Sequence, residues 1–318
     1  LAVAVPGDPA DGQPARAADP HRPGPAGRPG GAGGHRPGGR GRLAGRAAGG
    51  VRGAGQRRSA ALCLFVPLCA SLCLVCLVCG VLRRLFDKSK FAISTEETRY
   101  YLNGVYMHVA DGDGGKVLRC VATDGHRLAR IDAELPMGAE GMPGVIVPRK
   151  TVGELRKLLD DDDMKIAVSV SETKVRFATP DITLTSKVID GTFPDYTRVI
   201  PQGNTRRLEV DARDFAAAVD RVATVSSERS RAVKLSLDED RLILSVNAPD
   251  SGAAEEELAV AYGDERLEIG FNAKYLLEIA SQVDRENAVF LFNSAGDPTL
   301  MREGNDMSAV YVVMPMRV

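Results

Sequence analysis

The chain has 318 residues, enough for about two domains, and its 41 basic and 42 acidic residues leave a net charge of −1. That average hides two unlike parts, because residues 1–82 carry ten Arg and three Asp (+7), whereas residues 83–318 carry 31 basic and 39 acidic residues (−8). Five of the six cysteines lie between Cys63 and Cys79, and only Cys120 follows them. A single thiol excludes an intrachain disulfide scaffold for residues 83–318 and suits a reducing compartment.

Residues 1–59 consist mostly of Gly, Ala, Arg and Pro, which supply 47 of the first 60 residues. A segment without aromatic side chains cannot bury enough apolar surface to offset the entropy of the chain, so we predict that it is disordered. Because codons for these four amino acids can begin with two G or C bases, a GC-rich gene read in the wrong frame gives the same pattern. Leu1 in place of Met agrees with a misplaced start or a fragment.

An apolar run follows at residues 60–82, where 23 residues carry no charge and could cross a bilayer as a helix. Arg57–Arg58 and Arg83–Arg84 flank the run on both sides, so the distribution of basic residues gives no orientation. The Cys73-x2-Cys76-x2-Cys79 spacing occurs in metal and cluster sites, but no further ligands complete a set here. A membrane anchor, a metal site and a translation artefact stay open as interpretations of this run.

Residues 83–318 have the pattern of a folded protein. Apolar side chains at three- and four-residue spacing predict four helices, at Leu82, Leu85 and Phe86, at Val152, Leu155, Leu158 and Leu159, at Phe215, Val219 and Val222, and at Leu276, Ile279, Ala280 and Val283. Alternating apolar side chains predict strands at Ile166, Val168 and Val170, at Val175 and Phe177, at Leu242, Leu244 and Val246, and at Leu267, Ile269 and Phe271. Turns are predicted at Asn103-Gly104, Asp111-Gly112, Gly114-Gly115 and Asp190-Gly191.

The order of these elements indicates an internal duplication. VIVPRKTVGELRKLL (145–159) and IGFNAKYLLEIASQV (269–283) both run from a strand through a polar turn with a basic residue into an amphipathic helix, 124 residues apart. A repeat of this size is a domain repeat, because solenoid repeats span only ~20–50 residues. We therefore predict two copies of one α+β module, residues 83–200 and 201–318, each with two helices packed on sheets.

Five segments carry a resemblance to a known family: RYYLNG (99–104), TDGHRLA (123–129), VPRK (147–150), FPDY (193–196) and YVVMPMR (311–317). In order and spacing they resemble the β subunit of bacterial DNA polymerase III, the replicative sliding clamp. The resemblance implies the DNA-clamp fold of two helices on antiparallel sheets, with three modules in a subunit and two subunits closed head to tail around duplex DNA. This chain resembles the second and third modules. Residues 1–82 stand where the first module and the opening strand of the second would lie, which favours a lost reading frame.

A clamp has to hold DNA without reading its bases, so it needs a basic lining that attracts phosphates. The candidates on the four helices are Arg83, Arg84, Lys88, Lys90, Arg149, Lys150, Arg156, Lys157, Arg213, Arg221 and Lys274. The alternative for these residues is an ordinary solvated helix face. Arg99, Tyr100 and Tyr101 join a guanidinium to two aromatic rings before a turn, and the resemblance makes them a DNA-contacting loop.

The resemblance also implies a groove between the two modules that binds short peptides with apolar anchors. The matching positions are Leu102, Thr123, Gly125, His126, Arg127, Leu128, Pro194, Arg198, Val199, Asn272, Tyr275, Val312, Val313, Met314, Pro315, Met316 and Arg317. Methionine and other apolar side chains offer an adaptable surface, and the basic residues can hold peptide carbonyls or acidic flanks. Ser230 and Pro298 depart from the residues usual in the family, so peptide preference is expected to differ.

The function implied is that of a non-catalytic processivity factor in the cytoplasm, associated with the nucleoid and without cofactor or metal. Its partners would be non-specific double-stranded DNA, the α subunit of DNA polymerase III, the clamp loader and other proteins with a clamp-binding motif. The family forms homodimers. Without the first module this chain lacks one partner of each interface, whose third-module side is expected near Thr224–Arg229, and the folded part is predicted to be monomeric.

Three other interpretations of the sequence stay open. A membrane-anchored adaptor would display the duplicated domain from residues 60–82. An enzyme would use Asp124 to orient His126, although no nucleophile accompanies them and residues two apart on a strand share a face in any case. The run Asp160–Asp163 could bind a hard cation, but without a Gly-spaced calcium loop a solvated loop is the better interpretation.

Overall fold

The computed structural model describes residues 73–226, 231–249, 251–284 and 287–317. The predicted disordered segment, Ser230 and the first thirteen residues of the apolar run lie outside these ranges. Its α-helices are α1 (Cys79–Asp87), α2 (Arg149–Arg156), α3 (Ala212–Ala223) and α4 (Ala273–Ala280). All four predicted helices are confirmed. Leu158 and Leu159 lie beyond the end of α2, and Val283 lies beyond the end of α4.

The helices of the second repeat begin at side-chain caps. The Asp211 carboxylate accepts hydrogen bonds from the backbone N–H groups of Arg213 (2.8 Å) and Asp214 (2.9 Å) before α3. The Asn272 side-chain oxygen accepts one from Lys274 (3.0 Å) before α4. Such caps satisfy N–H groups that have no partner inside the helix, which fixes where each helix starts.

The described part contains seventeen strands, and the four predicted from alternating apolar side chains are among them. They are β1 (Cys73–Val78), β2 (Gly104–Gly112), β3 (Gly115–Thr123), β4 (Arg127–Glu134), β5 (Val145–Pro148), β6 (Lys165–Val170), β7 (Lys174–Ala178), β8 (Thr183–Lys187), β9 (Arg206–Asp211), β10 (Ala232–Asp238), β11 (Arg241–Ala248), β12 (Gly252–Ala259), β13 (Ala261–Tyr262), β14 (Leu267–Asn272), β15 (Asn287–Phe292), β16 (Thr299–Glu303) and β17 (Ala309–Val313). The predicted turn at Asp111-Gly112 lies in the last two residues of β2, and the chain reverses immediately after it, because Gly112 pairs with Gly115.

The duplication is visible in both element order and strand pairing. β1-α1-β2-β3-β4-β5-α2-β6-β7-β8 recurs as β9-α3-β10-β11-β12-β14-α4-β15-β16-β17, with the short β13 added. β1, β6, β7 and β8 form one sheet in that order, and β9, β15, β16 and β17 are neighbours in the same way. Likewise β4-β3-β2-β5 corresponds to β12-β11-β10-β14, and all of these pairs are antiparallel. The predicted α+β class and duplication are therefore confirmed.

One nine-stranded sheet runs through both repeats, in the order β13-β9-β15-β16-β17-β4-β3-β2-β5. β17 of the second repeat pairs with β4 of the first, with Val312 directly opposite Leu128. Backbone hydrogen bonds from Asp132 to Ser308 (2.7 Å) and from Met314 to His126 (2.9 Å) extend this ladder at both ends. The junction between the repeats is thus a continuous sheet.

The folded part begins earlier than the boundary predicted at residue 83. β1 pairs with β6, its Val75 and Leu77 point into the core, and Cys79 and Leu82 of α1 have no exposed surface. The described end of the apolar run is therefore an edge strand and the first turn of a helix, because its alternating side chains cover the core of the first repeat. No helix among the described residues is both long enough and apolar enough to cross a membrane.

The metal interpretation of the cysteine run gains no support from the described residues. Cys79 is buried in the core, whereas Cys76 is exposed on the edge strand. In the described ranges no three His, Cys, Asp or Glu side chains are grouped so that they could hold a metal ion, and these ranges include Asp160–Asp163.

Candidate functional site

An apolar cluster lies on one face of the nine-stranded sheet, where the two repeats meet. Leu102 and Leu128 come from the first repeat and Val312 from the second, and all three are at most 4% exposed. The other buried members are Val121, Ile146, Phe193, Tyr196, Ile200, Leu300 and Val310. Because β17 pairs with β4, neither repeat can form this surface without the other.

The edge of this cluster reaches solvent. Val199 is 40% exposed although its neighbours Tyr196 and Ile200 belong to the cluster. Pro194 and Arg198 are exposed in the same segment, where Asp195 accepts a hydrogen bond from the backbone of Thr197 (3.2 Å) and pairs with Arg198 (2.9 Å). The C-terminal residues Met314, Pro315 and Met316 are half-buried and Arg317 is exposed. The cluster therefore has a buried apolar interior and a border at which the segment 194–199 reaches solvent.

A network of polar aromatic side chains, none of them among the predicted site residues, lies against the same cluster. Tyr106 stacks on His108 and on Phe193, with ring centroids 4.4 and 5.0 Å apart. The hydroxyl of Tyr196 lies 3.1 Å from Nε2 of His108, and burial lowers the pKa of His108. Nδ1 of His108 lies 3.0 Å from the Val109 carbonyl, which can only accept, so Nδ1 carries the proton of the neutral ring and Nε2 accepts from Tyr196. The two-residue spacing of Tyr106 and His108 in β2 could have predicted this stacking, because it places both rings on one face of the strand.

The predicted groove residues do not all share that face. Val313 is fully buried in the main core, and Arg127 lies opposite it in the β17–β4 register. Neighbouring residues of a strand point to opposite faces, so Leu128 and Val312 line the cluster while Arg127 and Val313 point away from it. The prediction of one groove is corrected in this respect.

Arg127 connects the two repeats on the second face. Its guanidinium lies over Phe91 of the first repeat and Tyr275 of the second, 5.2 and 4.4 Å from the ring centroids. It donates hydrogen bonds to the Phe91 carbonyl (2.7 Å), the Asp124 carboxylate (3.1 Å) and Glu278. Arg127 is only 7% exposed, so with these partners it stabilises the junction between the repeats. The structure therefore corrects the predicted role of Arg127 in holding peptide carbonyls.

The loop before β4 is organised by side-chain hydrogen bonds to its own backbone. Thr123 donates to the Arg127 carbonyl (2.7 Å) and accepts from Gly125 (3.1 Å), while Asp124 accepts from the N–H groups of His126 and Arg127. Gly125 has φ +88°, and a Cβ there would lie 2.8 Å from Nη1 of Arg99. Asp124 therefore shapes the turn, and the His126 ring lies near Tyr275 with centroids 6.4 Å apart. Asn272 is the cap of α4.

Two of the predicted DNA contacts are instead part of the junction between the repeats. Lys88 is 8% exposed, and its ammonium lies 2.6 Å from Asp284 and donates to the Gln282 carbonyl (2.7 Å). Arg84 donates to the Asp132 carbonyl (3.2 Å) and to Ser308 (2.6 Å). Arg84 on α1 and Lys88 directly after it therefore bind residues of β4 and of the second repeat, which corrects their assignment to a DNA-facing lining.

The remaining basic candidates divide into paired and unpaired groups. Ion pairs within the chain join Arg83 to Asp162, Lys90 and Arg156 to Asp87, Arg99 to Glu96, Lys157 to Glu154, Arg221 to Glu256 and Lys274 to Glu278. Arg149, Lys150 and Arg213 are exposed and have no ion pair with any described residue. Next to Arg99, Tyr100 is 54% exposed and lies edge-on to Tyr101, with centroids 5.8 Å apart.

A duplicated α+β module, joined by a continuous sheet with an apolar cluster at the junction, defines a DNA-clamp fold. Family models bear this out: the central domain of the DNA polymerase III beta subunit matches residues 77–195 and the C-terminal domain matches residues 197–317. The chain belongs to the DNA polymerase III beta subunit family.

The relatives are beta sliding clamps. The chain is 52% identical over 235 residues to that of Caulobacter vibrioides and 37% identical over 241 residues to that of Escherichia coli, covering 74% and 75% of this chain. It spans 63% and 64% of the length of those two relatives. Among solved structures, the DnaN sliding clamp of Bartonella birtlesii bound to griselimycin is 52% identical with a TM-score of 0.76, covering 80% of this chain and 69% of that one. The membrane-adaptor interpretation has no support among these relatives.

Proposed function

We propose that this chain acts as the peptide-binding and DNA-facing portion of a replication processivity clamp. It would bind short apolar motifs of DNA polymerase III, the clamp loader and similar partners, and would hold duplex DNA without reading its sequence. It performs no catalysis in this proposal. The place of action would be the cytoplasm, at the nucleoid.

The observation that carries the proposal is the apolar cluster shared by the two repeats. Leu128 and Val312 lie side by side in its floor, and the exposed Val199 leaves a border open to solvent. The apolar anchors of a bound peptide would pack on Val199 beside this cluster and extend its buried apolar surface. Half-buried methionines at the C-terminus would let one groove accommodate several motifs.

The double replacement Met314→Ala and Met316→Ala is expected to weaken binding of a peptide copied from a polymerase clamp-binding motif by at least about tenfold, because two apolar contacts of ~1 kcal/mol or more are removed. Fluorescence anisotropy with a labelled peptide measures the affinity. Met137→Ala is the matched control, since Met137 is 93% exposed and does not belong to the apolar cluster. Equal affinity of the double variant and the unchanged chain would contradict the groove assignment.

The DNA proposal rests on the cations that are not paired inside the chain. Replacing Arg149, Lys150 and Arg213 by Ala should weaken binding to a linear duplex and lower the slope of log K against log salt by about 2–3, since each phosphate contact contributes ~0.9. A control with the same change in charge replaces Lys116, Lys174 and Arg176, which are exposed on strands β3 and β7. The same fall in slope for both variants would contradict a lining formed by the helices.

A further inference from the structure

A row of polar side chains crosses strands β2, β3 and β4 beside the apolar cluster. His108 lies directly opposite Arg119 in the β2–β3 register, and Arg119 lies opposite Asp132 in the β3–β4 register. Side chains that are directly opposite on neighbouring strands share a face of the sheet. The Tyr196 hydroxyl lies over this row, 3.1 Å from Nε2 of His108, and it accepts a hydrogen bond from Nη1 of Arg119 (3.4 Å). One hydroxyl thus connects the segment after β8 to two strands of the sheet.

Tyr196 holds the border of the apolar cluster in place. It begins the short 3-10 helix Tyr196–Arg198, and its carbonyl accepts a hydrogen bond from the N–H group of the exposed Val199 (3.0 Å). The other polar side chains of this segment bond within it, since Asp195 accepts from Thr197 and pairs with Arg198. Among the described residues, the Tyr196 hydroxyl therefore makes the only side-chain hydrogen bonds that join residues 193–200 to the sheet.

The hydrogen bonds of this row require a neutral His108. Its Nδ1 donates to the Val109 carbonyl (3.0 Å), and its Nε2 accepts from the Tyr196 hydroxyl. A protonated imidazole has two donors and no acceptor. Protonation of His108 would leave the hydroxyl hydrogen of Tyr196 without an acceptor, and the new N–H group would compete with Arg119 for the hydroxyl oxygen. Tyr106 stacks on the other side of the ring, with centroids 4.4 Å apart, so the imidazole cannot turn away without losing this packing.

The surroundings of His108 also favour the neutral ring. Burial is the largest cause that lowers the pKa of His108 from its usual 6.5, and the Arg119 guanidinium lowers it further. The hydrogen bond to Val109 and the Asp132 carboxylate act in the opposite direction. Asp132 is a weak counter-ion for the imidazole, because it already accepts from Nε and Nη2 of Arg119 (2.6 and 2.7 Å) and lies 3.8 Å from Nε of Arg130.

We propose that His108 and Tyr196 are positioning residues of the peptide groove, and that only the neutral form of His108 holds residues 193–200 in the conformation that binds a peptide. Acidification then releases the border that carries Val199 and weakens peptide binding. This inference rests on the proposed peptide groove and adds a dependence on pH to it. Because the folded chain prefers the neutral ring, the binding conformation is complete above pH 6.5 and is lost as the pH falls through the lowered pKa of His108.

The test measures peptide affinity of the full chain by fluorescence anisotropy from about pH 8 to about pH 5 at constant ionic strength, with a histidine-free peptide copied from a polymerase clamp-binding motif. Below the pKa of His108 the dissociation constant should rise toward about tenfold for each further pH unit, because the binding-competent fraction falls by that factor. His108→Gln keeps an acceptor but does not titrate, so it should bind well at both ends of the range. Tyr196→Phe should bind about threefold to tenfold more weakly near pH 8, since it lacks the hydroxyl, and should respond less to acid.

His126→Gln is the matched control, because His126 is the other histidine of the described residues and is exposed in the loop before β4. Whatever its affinity near pH 8, this variant should keep the fall in affinity on acidification. Circular dichroism at each pH establishes that the variants are folded.

The double replacement Met314→Ala and Met316→Ala, measured near pH 8, separates the two proposals. If it binds the peptide as the unchanged chain does, the groove assignment itself fails. If it weakens binding, the groove assignment stands and the pH series decides the role of His108. A pH profile of the unchanged chain without a fall, or the same fall in His108→Gln, would then overturn that role.

Discussion

Replacing Asp132 by alanine is expected to lower the free energy of unfolding by about 3–5 kcal/mol. Its two carboxylate oxygens accept hydrogen bonds from Nε (2.6 Å) and Nη2 (2.7 Å) of Arg119 on the neighbouring strand. Asp132 is 8% and Arg119 7% exposed, so the variant leaves a buried guanidinium without its carboxylate partner. Arg119 also contacts the hydroxyl of Tyr196, which lies in the apolar cluster (3.4 Å). Denaturant unfolding followed by circular dichroism measures the loss.

Glu154→Ala provides the comparison, because it also removes the carboxylate of an ion pair. The Glu154 and Lys157 side chains are 50% and 69% exposed, and a pair in that environment contributes less than about 1 kcal/mol. Asp132→Asn should fall between the two, since it keeps the shape and one acceptor oxygen. Equal losses for the alanine variants at 132 and 154 would show that burial does not determine the strength of the Arg119 pair.

Replacing Arg127 by methionine is expected both to destabilise the chain and to weaken peptide binding. Methionine keeps the packing against Phe91 and Tyr275 but removes the hydrogen bonds to Phe91, Asp124 and Glu278. Because Asp124 and Glu278 are partly exposed, we expect a loss of about 2–3 kcal/mol, below the value for a fully buried pair. The Asp124–Arg127 loop also holds the backbone of Met314 through the His126 carbonyl (2.9 Å), so peptide affinity should fall with stability.

Lys274→Met separates the two effects. Its ammonium also contacts Glu278, at 3.9 Å, but the side chain is 55% exposed. We expect its unfolding free energy and peptide affinity to stay close to those of the unchanged chain. Arg127→Lys should recover only part of the loss, because an ammonium cannot make the forked contacts of a guanidinium. Unchanged stability and peptide affinity in Arg127→Met would rule out a role for Arg127 in stabilising the junction between the repeats.

The sequence predicted the helices because their apolar spacing is a local property. Leu82, Leu85 and Phe86 are buried on α1 as expected, and Ile166, Val168 and Val170 are buried on β6. The resemblance correctly brought Leu102, Leu128 and Val312 together. The early start of the fold was missed because CLVCLV is apolar throughout, and such a run does not distinguish a strand from part of a membrane helix. Its alternation became visible only when β6 was in place beside it.

The sequence could not show which basic residues are available for DNA. Lys88 and Asp284 are far apart in the chain, and their contact exists only because β17 pairs with β4. The same pairing places Arg127 on the face opposite Leu128, where it meets rings from both repeats. Such partners depend on which strands become neighbours, and no local pattern of residues encodes that.

The sequence by itself determined the duplicated α+β module, because period and spacing are set by the geometry of a helix and a strand. The net charge of −1 combined a basic N-terminal part with an acidic folded part, and composition was enough to separate them. Only the tertiary structure decided which cations of the acidic part form ion pairs at the junction and which stay exposed. It also decided which strands end a sheet. These outcomes follow from backbone hydrogen bonds between strands distant in sequence, and every residue except proline can make them.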